Sequence, residues 1–316
     1  MNKILIIGGT GALGQTLIRK YQNDNKIIVF SRDEHKQCNL KIQSWINKNN
    51  LSFCIGDMTY INSIQNAIEN FRPNIVINTA ALKVVPICED NPYESVRVNI
   101  LGHQNLIESV KKSNHKIEKL IFISTDKACK PINVYGMCKA ISEKLYIEFG
   151  KIQEDIRVYT VRYGNVLDST GSVIPLFKSI LNTGETTLPI TNKDMTRFLM
   201  SLTDATDLIQ WTIDNDLHGK ITIPKIKSMK IVDVANALFE WKKIKGKIKI
   251  VGIRPGEKLH EELISETEWL KTEETEKYYI ISNEIIKSEV KSYNSFDSLI
   301  DQNAVYKFLE HNNILT

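Results

Sequence analysis

The chain has 316 residues, enough for one large domain or two intimate ones, and its 42% apolar and 25% charged residues are those of an ordinary folded protein. A formal net charge of +4, from 41 basic and 37 acidic residues with neither sign in a long block, gives no argument for nucleic acid and would not repel an anionic ligand. There is no apolar run near the ~20 residues that span a bilayer and no signal-peptide pattern, and the five cysteines (Cys38, Cys54, Cys88, Cys129, Cys138) lack metal-binding spacing, so a soluble, cytoplasmic protein without a metal site is expected.

Short apolar runs at residues 4–7, 27–30, 51–54, 75–78, 120–124 and 158–163 read as buried strands, with helix-period stretches between them. Repeated strand-helix-strand order predicts an α/β fold: a doubly wound parallel sheet of the Rossmann type, covered on both faces. Residues 1–165 are assigned to this domain. Directly after the first strand comes Gly8-Gly-Thr-Gly-Ala-Leu-Gly14, ahead of a helix expected to begin near Gly14. Gly8, Gly11 and Gly14 suit a tight turn and close approach to a pyrophosphate; Thr10, Ala12 and Leu13 complete the loop, and the helix N-terminus offers free N–H groups. The second strand ends in Ser31 and Arg32. An acidic residue there would bind a free ribose 2′-hydroxyl; Ser31 and Arg32 suit a 2′-phosphate, so NADP is favoured over NAD, a plain surface arginine being the other reading. Asp57, past the third strand, is placed to accept from an adenine, and the small residues Ala80 and Ala81, ahead of Lys83, let backbone approach the cofactor. On the next helix Val96, Ile100, Ile107 and Val110 mark one apolar stripe, and Asn99 either braces the active loop or is a plain interhelical asparagine.

The fifth strand leads into Ser124-Thr-Asp-Lys-Ala and then Val134-Tyr-Gly-Met-Cys-Lys139. Tyr135 and Lys139 stand four apart, so on a helix their polar ends share a face. An ammonium beside a phenol lowers the phenol pKa and makes a base for an alcohol; Asp126 and Lys127 at a strand end add an acid and an amine. After Gly164 regularity breaks. Loops at 169–172 and 183–189 separate helices expected at 203–214 and 231–241 and a strand at 248–251, while the charged stretch 271–277 reads as a solvated helix or loop. Residues 166–316 are assigned mainly to a smaller substrate-binding domain interleaved with the first.

The Gly-rich turn, Asn78-Thr-Ala-Ala81 and Tyr135-x-x-x-Lys139 together resemble an extended short-chain dehydrogenase/reductase. Ser124-Thr-Asp-Lys-Ala, Arg162-Tyr-Gly-Asn-Val-Leu167, Gly171-Ser-Val-Ile-Pro175, Asp194-Met-Thr-Arg-Phe198 and Arg254-Pro-Gly-Glu-Lys-Leu-His-Glu261 resemble more narrowly the inverting UDP-N-acetylglucosamine 4,6-dehydratases, up to about residue 282. The retaining dehydratases carry Asp-Glu where this chain has Asp126-Lys127, and the membrane-anchored relatives carry helices ahead of the catalytic domain that this chain does not show. The resemblance implies NADP as cofactor, UDP-N-acetylglucosamine as partner and a homo-oligomer. It gives Tyr135, supported by Lys139, the C4 hydroxyl proton, Thr125 a hydrogen bond to O4, Lys127 the C5 proton and Asp126 the proton donated to the departing C6 oxygen. Tyr135 and Lys139 also contact the cofactor. These roles require Lys127 shifted down and Asp126 shifted up. Arg197 and Arg254 would hold the diphosphate, Glu257 the uridine ribose, Asn165 the diphosphate or sugar, and Thr187 and Pro189 the uracil; Lys83 and Val173 complete the substrate set, and His260 is structural or a minor contact. A 4-epimerase or a retaining dehydratase is the alternative within the same chemistry; a non-catalytic NADP-binding regulator is the alternative of another class.

Overall fold

The six apolar runs form six parallel strands: β1 (Lys3–Ile7), β2 (Lys26–Ser31), β3 (Leu51–Ile55), β4 (Ile75–Asn78), β5 (Lys119–Thr125) and β6 (Arg157–Tyr163). The structure, a computed structural model, describes every residue from 1 to 316 except Asp168 and Thr170, so Thr170 of the expected 169–172 loop lies outside the described residues. Spatial order is β3-β2-β1-β4-β5-β6, the order of a doubly wound nucleotide-binding sheet. Beyond β6 the sheet continues with the parallel strand Ile221–Pro224 and then with the antiparallel strands Tyr278–Ile281 and Thr272–Glu274. Successive residues of a strand face opposite sides. Ile4, Ile6, Ile27, Val29, Ile121 and Ile123 therefore enter one core layer, while Leu5, Ile7, Ile28, Phe30, Leu120 and Phe122 enter the other. Unbroken apolar runs are what a sheet covered on both faces requires. Strand order reverses between β1 and β4, and the crevice at their carboxyl ends is where such sheets bind ligands.

A third core lies in the second half, where helices Val173–Asn182, Ile231–Lys242 and Gln302–His311 pack with the parallel strand pair Thr187–Ile190 and Lys247–Ile250. No described helix is long and apolar enough to cross a membrane.

Three local expectations are corrected. The first helix begins at Ala12, two residues before Gly14, because Gly11 already takes the N-cap position. The stripe through residues 96–110 is broken by a π-helical turn, Arg97–Leu101. One extra residue in that turn rotates the helix, so Val96 is exposed while Val98 and Asn99 go inside with Ile107 and Val110. The charged stretch at 271–277 is a hairpin: Thr272–Glu274 pairs with Tyr278–Ile281, Thr272 is buried, and Glu273 and Glu274 face water. Both N–H and hydroxyl of Thr275 donate to the Tyr278 carbonyl and close the turn.

Candidate active site

A cleft of about 1260 Å³ follows the carboxyl ends of the central strands, from Trp45 and Arg32 at one end to Leu176 and Arg254 at the other. That exceeds the roughly 300–1,000 Å³ of a single small-molecule pocket and leaves room for two ligands end to end. Gly8, Thr10, Gly11, Ala12, Leu13 and Gly14 all line its first half, with Ser31, Arg32, Asp57, Ala80, Ala81 and Lys83. Gly8 has φ +78°, and a Cβ there would sit 2.8 Å from the Ala80 amide nitrogen, so the turn tolerates no side chain where backbone meets backbone. Gly11 puts no side-chain cap on helix Ala12–Tyr21, leaving its first N–H groups free to face an anion. This cradle fits the pyrophosphate of a dinucleotide.

At the end of β2, Arg32 is exposed and its guanidinium stands 3.6 Å from Asp57, whose other oxygen accepts from the Thr59 N–H at 2.8 Å. The neighbouring acid, Asp33, accepts from Lys36 N at 2.9 Å as the N-cap of helix Glu34–Lys41. Ser31 is buried, its hydroxyl accepting from Gln37 Nε2 at 3.0 Å. Asn99 does not reach the cleft. It is fully buried in the π-helical turn and makes a two-way bond with Leu82, accepting from its N–H at 2.9 Å and donating to its carbonyl at 2.8 Å. Its effect on the site passes through the loop that carries Ala80, Ala81 and Lys83.

The centre of the cleft is built by β5, the short 3₁₀ turn Asp126–Ala128 and helix Val134–Ile152. Asn133 caps that helix, accepting from Gly136 N at 2.7 Å, and its own amide donates to the Gly256 carbonyl at 2.8 Å. Gly136 is obligatory, since a Cβ there would lie 2.2 Å from the Lys127 carbonyl oxygen. Close packing of this helix start on the turn sets Tyr135 beside Thr125 and Lys127. Thr125 Oγ1 donates to Asp126 Oδ1 at 2.8 Å, and Lys127 Nζ donates to the same oxygen at 3.0 Å and to Asn165 Oδ1 at 3.4 Å. Thr125, Lys127, Tyr135 and Lys139 line the cleft. Asp126 is fully buried just beneath it, and its second carboxylate oxygen has no partner among the described residues.

Burial, reinforced by Glu261, pushes the Asp126 carboxyl up against the pull of Lys127, the direction an acid needs. Lys127 departs from expectation. Burial and Arg197 draw it down, but Asp126 and Glu261 outweigh them and its net shift is upward. The Tyr135–Lys139 pair departs as well. Burial and Asp126 push the phenol up, and burial drives Lys139 down to about 7 against the charge of Glu143. In the unliganded chain burial thus disfavours both charged forms, whereas the spacing alone predicts an ammonium supporting a phenolate.

The second half of the cleft brings in Asn165, Val173, Pro189, Arg197, Arg254 and Glu257. Thr187 stays outside it, because its strand pairs with Lys247–Ile250 and only the Pro189 end reaches the cleft. Arg197 is not a free fork for phosphate: it donates to the carbonyls of Thr196 (2.7 Å), Leu259 (3.2 Å) and Lys258 (2.9 Å) and so shapes the turn at 256–261. Arg254 is exposed and pairs with Glu257 at 2.9 Å, so the expected diphosphate and ribose ligands hold each other in the unliganded chain. His260 bonds Thr196 Oγ1 at 2.8 Å, stacks near Phe296 and does not line the cleft. One residue the motifs did not single out is Glu261. It is 3% exposed yet lines the cleft, 3.5 Å from Lys127 Nζ and 3.8 Å from Arg197 Nε. It ends the Arg254-to-Glu261 motif, but nothing in the spacing reveals that the motif folds back onto Lys127.

Similarity to known proteins follows this geometry. A family profile described as polysaccharide biosynthesis protein matches residues 4–283. The chain is 41% identical over 302 residues, covering 94% of it and 87% of the relative, to a Campylobacter jejuni protein named UDP-N-acetylglucosamine 4,6-dehydratase (inverting). It is 39% identical over 286 residues, 88% of this chain and 82% of the other, to a Rickettsia rickettsii protein named UDP-glucose 4-epimerase. Among solved structures, Pen from Bacillus thuringiensis superposes with a TM-score of 0.92 at 30% identity, covering 100% of this chain and 98% of that one. The nucleotide-binding sheet, the Tyr135/Lys139 helix and this shared length place the chain in the polysaccharide biosynthesis protein family, alongside the inverting UDP-N-acetylglucosamine 4,6-dehydratases of the short-chain dehydrogenase/reductase type.

Proposed function

We propose that the protein is an NADP-dependent UDP-N-acetylglucosamine 4,6-dehydratase that inverts C5. The observation that carries this reading is the Asp126–Lys127 pair, in contact at 3.0 Å at the end of β5, with Tyr135 and Lys139 alongside in a two-ligand cleft. The name of the Campylobacter relative supports it. Elimination needs a ketone at C4, because only then is the C5 proton acidic enough to remove. The turn Gly8–Gly14, with Tyr135 and Lys139, would hold a nicotinamide dinucleotide, which when bound would supply the hydride chemistry at C4 and C6. Tyr135 takes the C4 hydroxyl proton, Thr125 orients O4, Lys127 removes the C5 proton and Asp126 protonates the departing C6 oxygen.

The resting ion pair explains how one site holds both an acid and an amine base. A single proton transfer from Lys127 Nζ to Asp126 across their contact makes the lysine neutral and the carboxyl protonated. Closing the site over substrate lowers the local dielectric and favours this neutral form over the ion pair. C5 is then reprotonated from the opposite face by a proton drawn from solvent, which gives inversion and puts deuterium at C5 in D₂O.

NADP rather than NAD is the reading of the β2 end. Asp33 is occupied as a helix cap, and Arg32 and Lys36 are exposed cations lining the cleft there. Arg32→Ala is expected to weaken NADP⁺ binding by roughly tenfold or more, on the order of a lost charge-assisted contact, while leaving NAD⁺ binding almost unchanged by calorimetry. Equal losses for both cofactors would remove the 2′-phosphate assignment. The expected homo-oligomer belongs to the same reading, with Tyr93, Leu101, Met137 and Ile141 exposing apolar side chains on adjoining helices.

The test is proton NMR of the protein with UDP-N-acetylglucosamine in D₂O without added reductant. A new C6 methyl signal, deuterium at C5 and L-arabino ring couplings are expected, and Asp126→Asn or Lys127→Ala should reduce the rate by about 10²–10⁴ each. D-xylo couplings would make it a retaining enzyme. Formation of the C4 epimer with no methyl signal would favour the activity named for the Rickettsia relative.

A further inference from the structure

The dehydration needs Lys127 and Asp126 to exchange one proton at the right moment, and a second carboxylate lies within reach of both. Glu261 Oε1 is 3.5 Å from Lys127 Nζ in the wall of the cleft, and its Oε2 has no partner among the described residues. The backbone at this position is clamped twice by Ser295: Glu261 N donates to Ser295 Oγ at 2.9 Å, and Ser295 N donates to the Glu261 carbonyl at 2.8 Å. Ser295 is itself fully buried and shares its hydroxyl with Thr196 Oγ1 at 2.6 Å. The clamp fixes the backbone of Glu261 and so directs a nearly buried carboxylate at Lys127 and Arg197, a charge placement that packing does not require.

We propose that Glu261 is a positioning residue for the dehydration: it is the counter-ion that holds the Lys127 ammonium against Asp126, so that acid and base rest as an ion pair and become active by one proton transfer between them. The step is balanced, since the proton leaves Nζ and bonds to an Asp126 oxygen with no electron transfer. This inference rests on the dehydratase reading for its chemistry.

Among the described residues, the charged groups that face this cluster are few. Asp126, Glu261 and Arg197 surround Lys127; Lys127, Arg197 and Lys258 surround Glu261; Lys127, Glu261 and the Tyr135 phenol surround Asp126; and Arg197 is flanked by Glu257 and His260. Any negative charge makes its neighbours harder to deprotonate. Glu261 therefore raises both Lys127 and Asp126, and is itself held below the usual carboxylate range, burial being outweighed by Lys127, Arg197 and Lys258.

Glu261→Gln keeps the shape and removes the charge. In the pH profile of UDP-N-acetylglucosamine dehydration, the rising limb (neutral Lys127 required) and the falling limb (protonated Asp126 required) should both move to lower pH, by about one unit or more. A packing role alone would lower the rate and leave both limbs in place, and that result would overturn the proposal. Glu261→Asp, which retains the charge, should return the limbs toward their wild-type positions. A readout independent of turnover is the lysine ¹³Cε resonance of Lys127, assigned by its loss in Lys127→Ala. In the cofactor-free protein, the pH at which it departs from its ammonium value should fall by about one unit or more in Glu261→Gln. An unmoved departure point would refute the counter-ion role, whether or not the wild type dehydrates the sugar nucleotide. An inactive wild type with a moved departure point would instead count against the dehydratase reading and leave the counter-ion role standing.

Discussion

Lys139 shows how a cleft side chain proposed for catalysis works against the stability of the fold that carries it. Its ammonium lies over the Phe122 ring, 4.4 Å from the centroid, and it is almost wholly buried. Glu143, one helical turn along, would favour its charge, but that carboxylate is already shared between Arg162 at 2.7 Å and Ser124 Oγ at 2.5 Å. Burial therefore wins and carries Lys139 from its ordinary 10.5 down to about 7. Since the unfolded chain holds this proton more tightly than the folded one, burial is a cost that is full below about pH 7 and fades as pH rises toward 10.5. Lys139→Met should then raise the melting temperature of the cofactor-free protein, most of all near pH 6 and progressively less toward pH 10, while abolishing turnover. A variant that melts lower than wild type at pH 6 would mean that the ammonium is stabilised in the fold after all.

At the scale of elements, regular parts were legible and their junctions were not. The six parallel strands β1 to β6 follow from apolar runs, because a strand buried on both faces has to be continuously apolar. The Gly-rich turn and the Tyr135/Lys139 helix follow from residue spacing. Periodicity assumes one helical pitch, however, and the π-helical turn at Arg97–Leu101 changes pitch midway; only the fold shows that this puts Asn99 against Leu82 and its backbone carbonyl under Ser142 Oγ, at 2.5 Å. The hairpin at 272–281 is hidden because its edge strand, Thr272-Glu273-Glu274, contains no apolar residue. Long-range contacts such as Glu261 with Lys127 leave no local signature at all. Gly136 is the junction that can be tested most directly. Gly136→Ala puts a methyl against the Lys127 carbonyl, and relief must come from moving the helix start off the turn. The expected cost is about 1–3 kcal/mol of stability. Turnover should fall further, by about 10²-fold for an ångström of misplacement, while dinucleotide affinity falls less, because the Gly-rich turn on another strand is undisturbed and only the contacts of Tyr135 and Lys139 shift. Parallel melting, binding and rate measurements check this; full activity in a variant that melts normally would show that the helix start yields without disturbing Tyr135.

Across the whole molecule, the two halves share structure that a boundary near residue 165 does not divide. The chain leaves the sheet after β6, builds part of the third core, and comes back to place Ile221–Pro224 beside β6, followed by the antiparallel edge. A fourth apolar cluster bridges these parts, joining Phe198, Ile221, Ile223, Leu263, Ile264, Trp269 and Ile281. Residues past the family match at 283 are also integral: Ser295 clamps Glu261, and helix Gln302–His311 buries Val305 and Leu309 completely against helix Ile231–Lys242. Such interleaving couples the cores, so calorimetry should record a single unfolding transition. Leu309→Ala, in the third core, removes buried volume worth about 2–5 kcal/mol, and Leu5→Ala, in a separate core layer against the sheet, removes a similar amount. Each should lower the same transition, and because the sites share no partner their effects should nearly add in the double variant. If instead Leu309→Ala split the trace, with an early transition for the second half and an unshifted one for the sheet, the shared strands would not couple the cores. The second half of the chain could then open while the parallel sheet stays folded, and the distance from Glu261 to Lys127 would be fixed only when that half is closed.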